Sequence, residues 1–145
     1  MASSQLPSIV QVAQRTQREV DLAVRRFRKD DRYDQGARIR ACVTEVRRLG
    51  YRAWNSPERR AQLLQDLVDA VDDLKLELQL ARESHAFPSA AEFDAIWRSV
   101  ESLGTQAGAW RNSVHPKGQN PAPPQAQQER ARKLSTRAAS CEAQG

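Results

Sequence analysis

A chain of 145 residues with 39% hydrophobic and 28% charged side chains is long enough for one domain with a real core. It sits on the polar side of globular composition, which suits amphipathic helices better than a thick sheet sandwich. The formal net charge of +5 and the sequence pI near 9.8 favour acidic partners such as nucleic acid, although so small a surplus names none by itself.

Residues 1–7 are mostly polar and end in Pro7, so a disordered start is expected. Ser8 with Gln11 three residues on reads as a capping box. Apolar or β-branched side chains then recur at Ile9, Val12, Thr16, Val20, Val24 and Phe27, the helical period, which predicts a first helix over about 8–28. Asp30 and Asp31 suit the start of a second helix, where carboxylates satisfy free amides and complement the helix dipole. The apolar positions Ile39, Val43, Val46, Gly50 and Trp54 carry it over about 31–54. In this joint Tyr33 is expected to pack the first turn and Gly36 to let the first helix come close.

Asn55-Ser56-Pro57 is a break, with proline tolerated in a first helical turn. Leu64, Leu67, Val71, Leu74, Leu78 and Ala81 alternate steps of three and four, a heptad seam, in a third helix over about 57–84. Leu63, Val68, Leu76 and Leu80 widen the stripe, so more than one neighbour is expected. Ser89 with Glu92 is a second capping box. Phe93, Ile96, Val100, Leu103, Ala107 and Trp110 define a fourth helix over about 89–112. From 115 to 145 the chain is rich in proline and glutamine and carries a basic surplus, which predicts a disordered tail. Its "ERARKLSTRAAS" could form a short basic helix on a partner, though it is too short to be stable alone. Residues 8–114 are thus expected to make an all-α, antiparallel up-down-up-down four-helix bundle, since short connections imply antiparallel neighbours.

No motif for catalysis emerges. His85 and His115 read as exposed loop residues. Asp66, Asp69, Asp72, Asp73 and Glu77 on the third helix resemble a metal site only in being numerous, because the Glu-x-x-His pairs of diiron bundles are missing; a solvated or interface face is the bland alternative. There is no phosphate-binding glycine loop, zinc spacing or nucleophile elbow. The expectation is a non-enzyme with no metal, cofactor or small-molecule substrate. Cys42 and Cys141 are too few for a disulfide framework and read as free thiols. With no apolar run of roughly 18 residues and no signal-peptide pattern, a cytoplasmic protein away from membranes is expected.

The charge is unevenly spread. Residues 1–30 carry six basic and three acidic side chains, residues 31–55 again six and three, residues 56–115 six and ten, and the remainder five and two. The first helical hairpin is therefore basic and the second acidic. On the second helix, at about 100° per residue, Ile39, Cys42, Val43, Val46, Leu49, Ala53 and Trp54 fall in one arc. Arg38, Arg40, Arg47, Arg48 and Arg52 fall on the other side, and Arg25, Arg26, Arg28 and Lys29 adjoin at the turn. Arginine suits bidentate contact to phosphate or carboxylate, so these nine are the candidate nucleic-acid-binding residues. Two other readings stay open: a solvated face of good helix formers, or an assembly face meeting the acidic third helix of another copy. Trp54, Trp97 and Trp110 lie on or beside apolar stripes and suit core or interface packing. Gly36, Gly50, Gly104 and Gly108 sit inside helical patterns, where close helix approach would explain them.

The stretch "RFRKDDRYDQGARIR" (26–40), the leucine-rich "LLQDLVDAVDDLKLELQLARESHAF" (63–87) and the closing "SAAEFDAIWRSVESLGTQAGAW" (89–110) resemble a family of small four-helix-bundle proteins. It includes the accessory variability determinant (Avd) proteins of diversity-generating retroelements and the ribosomal RNA intervening-sequence proteins. The similarity spans about residues 10–113, and the Gly-x-Arg-x-Arg run with the terminal Gly-Ala-Trp fits the Avd branch better. The resemblance implies a ring-like homopentamer with a basic surface that binds a reverse transcriptase and RNA or DNA, supports mutagenic complementary-DNA synthesis and has no catalytic activity. The alternative is a structural bundle, ribosome-associated or other, that serves protein–protein assembly without a nucleic-acid role.

Overall fold

The computed structural model describes residues 7–114, and all its regular elements are helical. They are α1 (Ser8–Arg25), α2 (Lys29–Tyr33), α3 (Gln35–Asn55), a 3-10 turn (Pro57–Arg59), α4 (Arg60–Glu83) and α5 (Ala90–Val114). The expectations for residues 1–6 and 115–145, including the disordered start, the disordered tail, its short basic helix and Cys141, fall outside the described residues.

The four long helices are the predicted ones, and their ends differ for local reasons. α1 stops at Arg25 rather than near residue 28, because the next amides reach back only three residues, Arg26 to Ala23 and Phe27 to Val24. That tight turn buries Phe27. The predicted second helix is two: Asp34, at φ −100° and ψ −70°, separates α2 from α3. Asp30 and Asp31 therefore lie in the first turn of α2, and Asp31 pairs with Arg28 at 3.4 Å. Tyr33 does not pack the turn; it is 74% exposed. Ser8 makes no side-chain cap. Pro7 occupies the cap position, and its carbonyl accepts the amides of Val10 and Gln11. The second capping serine works as expected, Ser89 Oγ accepting the Glu92 amide at 3.2 Å. At the end of α4, His85 takes a left-handed φ of 59° and lets the Ala86 amide reach the Ala81 carbonyl, a turn more often made with glycine.

Every position of the heptad seam on α4, from Leu64 to Ala81, is buried. α4 packs on α3 and α5, and α1 packs on the same two helices, so one apolar core is enclosed by four neighbours in cyclic order. Ile39, Val43 and Val46 enter it from α3, Val10, Val20 and Val24 from α1, and Phe93, Val100 and Leu103 from α5. Each such side chain contributes about 1.5–3 kcal/mol by leaving water. Of the residues that widen the α4 stripe, Leu63 is buried and Val68 is half-buried, whereas Leu76 and Leu80 are exposed. Trp97 and Trp110 lie partly buried against the core's margin, and Trp54, also partly buried, meets the Tyr51 ring edge-on.

Close approach to a stiff neighbour holds at only one of the four helical glycines, Gly36; a Cβ on Gly104 would meet Lys75 Nζ at 3.2 Å, the movable end of a flexible side chain. A Cβ on Gly36 would lie 2.5 Å from Cγ1 of the buried Val24, whereas at Gly50 the nearest atom would be an ordinary 3.5 Å away and at Gly108 nothing lies within 4 Å. Val24 is β-branched, fully buried and stiff at χ1. Gly36→Ala should therefore cost about 1–3 kcal/mol by overpacking, and because Gly36 is the second residue of α3 it gains less than the ~1 kcal/mol of propensity that alanine brings to a helix interior. Gly108→Ala should keep that gain. Urea midpoints of the two variants must then move in opposite directions from the parent.

Candidate nucleic-acid interface

α1 and α3 lie side by side with contacts that rise along one helix as they fall along the other. Gly50 faces Val10, Arg47 donates to Gln17 Oε1 at 2.7 Å, Arg40 donates to Asp21 at 3.2 Å, and Gly36 meets Val24. The first turn of α3 stays near the end of α1, so the nine predicted basic residues come onto one hairpin and its joint. All are exposed except Arg40, which is half-buried.

They do not share one role. Arg26 pairs with Glu92 at the start of α5. Arg28 donates to the Ser84 carbonyl at 2.7 Å, where Ser84 Oγ in turn donates to Gln35 at 2.8 Å. Arg38 bridges Asp34 at 2.6 Å and Glu77 of α4 at 3.3 Å. Arg48 pairs with Glu45. Several of the arginines picked for phosphate are thus interhelical clamps, joining the α1–α3 joint to α4 and α5 and α3 to its neighbours. Arg25, Lys29 and Arg52 are different: they are exposed and have no carboxylate or carbonyl partner among the described residues.

A further cation belongs with them. Arg18 on α1 is exposed and likewise without a partner among the described residues. It lies seven residues before Arg25, two helical turns away on the same face. That spacing is legible in the sequence, where the arginine-rich second helix is the louder signal. Arg18 and Arg25 on α1, Lys29 on α2 and Arg52 on α3 form the open positive set, and the exposed pairs beside them add polarizable charge. Such pairs contribute only about 0–1 kcal/mol each, so an incoming phosphate can take a guanidinium from its carboxylate at small cost.

α4, which packs against α3, carries the other sign. Asp69, Asp72 and Asp73 of α4 are exposed, and Asp66 and Glu77 are half-exposed. Gln62 donates to Asp66 and Gln65 to Asp69. Among the described residues no three His, Cys, Asp or Glu side chains converge as a metal site, and no described helix is long and apolar enough to cross a membrane. His85 is exposed, as expected of a loop residue. The two fields meet at Cys42, half-buried on α3 against α4, whose thiol pKa is pushed up by burial first and then by Glu77 and Asp73. At one end of the bundle an open cleft is lined by Pro7, Ile9, Trp54, Arg60 and Trp110; Arg60 is committed there to the carbonyls of Ala53 and Trp54.

No protein-family model matches this chain, and no curated protein matches it.

The acidic field around Cys42 has a measurable sign. With its folded pKa raised, Cys42 keeps its proton in the native state where the unfolded chain releases it. The associated stability is full below the ordinary thiol pKa of about 8.5 and is lost as pH rises through the folded value. In a Cys141→Ser background, alkylation of Cys42 at pH 8 should be slower in the folded protein than in urea. The fall in stability above pH 8.5 should flatten in a further Cys42→Ala variant.

Proposed function

We propose that this chain is a non-catalytic accessory protein of a diversity-generating retroelement, acting in the cytoplasm. It holds template RNA or complementary DNA on its basic α1/α3 face beside a reverse transcriptase and so supports mutagenic reverse transcription. The single observation that carries the reading is the set of exposed cations without partners, Arg18, Arg25, Lys29 and Arg52, on one hairpin of a bundle whose other hairpin is acidic. A phosphate backbone is the abundant intracellular partner for such a face, and the resemblance of residues 26–40, 63–87 and 89–110 to Avd-like proteins supplies the biological setting. The clamping arginines Arg26, Arg28, Arg38, Arg40, Arg47 and Arg48 act as a second ring of contacts, released one at a time as phosphates arrive.

In the same reading the four long helices run up-down-up-down, a topology supported by the opposed progression of the α1–α3 contacts and by short connections. The copies assemble as a homopentameric ring. The presence of a basic and an acidic hairpin on one bundle supports a head-to-tail contact of the kind that closes into rings. That same observation also favours the second reading, in which the charged faces serve protein–protein assembly alone and no nucleic acid is bound.

Two measurements separate these. Arg25→Glu with Lys29→Glu and Arg52→Glu touches no ion pair of the described residues, so the fold should survive. If the face meets phosphates, RNA affinity should fall and its salt dependence should flatten by about 0.7–0.9 logarithmic units per lost phosphate contact. Unchanged affinity would sink the nucleic-acid role. Light scattering behind a sizing column should give a mass near five chains, and a monomer would remove the ring.

A further inference from the structure

Tyr51 is an aromatic side chain that the fold leaves half-exposed, with a single ring contact. It is 44% exposed on α3, and among the described residues its hydroxyl has no hydrogen-bond partner. A tyrosine ring within a charged face offers a partner an apolar π-surface beside cations. Its neighbours on the helix surface are cations: Arg47 and Arg48 lie four and three residues before it, the spacings at which helical side chains adjoin, and Arg52 is next in the chain, about 100° further round the helix. Those arginines do not cover the ring. Arg47 is bound to Gln17 and Arg48 to Glu45, while Arg52 is open. Among the described residues the cation found over an aromatic ring is Arg82 on Phe93, elsewhere in the bundle. Trp54 meets Tyr51 edge-on, with ring centroids 5.8 Å apart and planes at 87°, which braces the ring without stacking on it. Tyr33, although more exposed at 74%, has no ring or hydrogen bond to brace it among the described residues.

We propose that Tyr51 is a base-stacking platform, so that the α1/α3 face takes single-stranded nucleic acid, one base lying on Tyr51 while Arg47, Arg48 and Arg52 hold the flanking phosphates. This rests on the phosphate-binding reading above and narrows it: a duplex keeps its bases stacked on one another and offers such a ring nothing, whereas a single strand presents free π-faces to it. Base identity matters little to such a contact, because every base has a face to offer.

The test uses the full-length chain and three fluorescently labelled probes of equal length: oligo-dT, the same phosphodiester backbone without bases, and a duplex. Anisotropy titrations compare the parent protein with Tyr51→Ala and Tyr51→Phe. The parent is expected to bind oligo-dT about tenfold more tightly than the abasic strand, the scale of one stacked base. Tyr51→Ala should bind both probes alike at the abasic level, and Tyr51→Phe, which keeps the ring, should restore the preference. Circular dichroism melts of the variants confirm that the half-exposed position leaves the bundle folded. Equal binding of oligo-dT and abasic strand by the parent overturns the stacking platform and leaves the phosphate-binding reading intact. A preference that survives in Tyr51→Ala also overturns it, as does tighter binding to the duplex than to oligo-dT. Binding to none of the three probes overturns the phosphate-binding reading itself.

Discussion

The seam of apolar side chains along α4 is the constraint the rest of the bundle answers to. Leu64, Leu67, Leu74 and Leu78 are fully shielded from solvent, and shielding a stripe that spans most of a 24-residue helix takes neighbours on both flanks. α3 and α5 supply them, and α1 closes the remaining side by packing on those same two helices. In proteins, tertiary burial of an amphipathic helix's apolar face supplies most of its stability. The helices thus stand or fall together, and the polar contacts at their edges refine an arrangement that the core has already set.

The contact of Gly36 with Val24 sets how closely α1 and α3 approach at the joint. Around it the chain has placed a ring of arginine contacts: Arg26 to Glu92 of α5, Arg28 to the carbonyl that ends α4, Arg38 to Glu77 of α4 and Arg40 to Asp21 of α1. Being exposed, these contacts are screened by salt and individually weak. Their geometry nonetheless fixes register, because each joins a side chain of one helix to a single position on another. The charged stretch 26–40 is therefore a joint whose arginines Arg26, Arg28, Arg38 and Arg40 are held in set directions.

Helix existence and the core faces were legible in the sequence because periodicity reports burial directly. The α4 seam and the α5 stripe run as the spacing predicts, from Leu64 to Ala81 and from Phe93 to Ala107. What escaped depended on through-space neighbours. Nothing local marks Asp34 as the break between α2 and α3, or says that Tyr33 would face water. Ser8 and Ser89 carry the same capping signature, yet only Ser89 makes the bond, because Pro7 takes the cap position at α1. The candidate site was legible as a concentration of arginine on one hairpin. Its division into clamps and open cations was not, since the carboxylates that bind Arg26 and Arg38 come from α5 and α4, 66 and 39 residues away in the chain.

That division bears on how the face would work in the proposed role. A surface made wholly of unpartnered arginines would carry a strong field and hold any polyanion indiscriminately. A surface made wholly of clamps would offer no first contact. Here the open cations Arg18, Arg25, Lys29 and Arg52 are set among paired ones, and Asp21 and Glu45 lower the local field. In that role encounter would begin at the open positions, where no bond must be broken, and would spread to guanidiniums whose present ion pairs are worth only about 0–1 kcal/mol each. Electrostatics so balanced gives steering and reversibility more than affinity. A strand passing beside a polymerase needs that balance, because it must be held and must also move on. The added hold then has to come from a contact that salt does not screen, and the braced ring of Tyr51 beside Arg52 is the feature of this face suited to supply it.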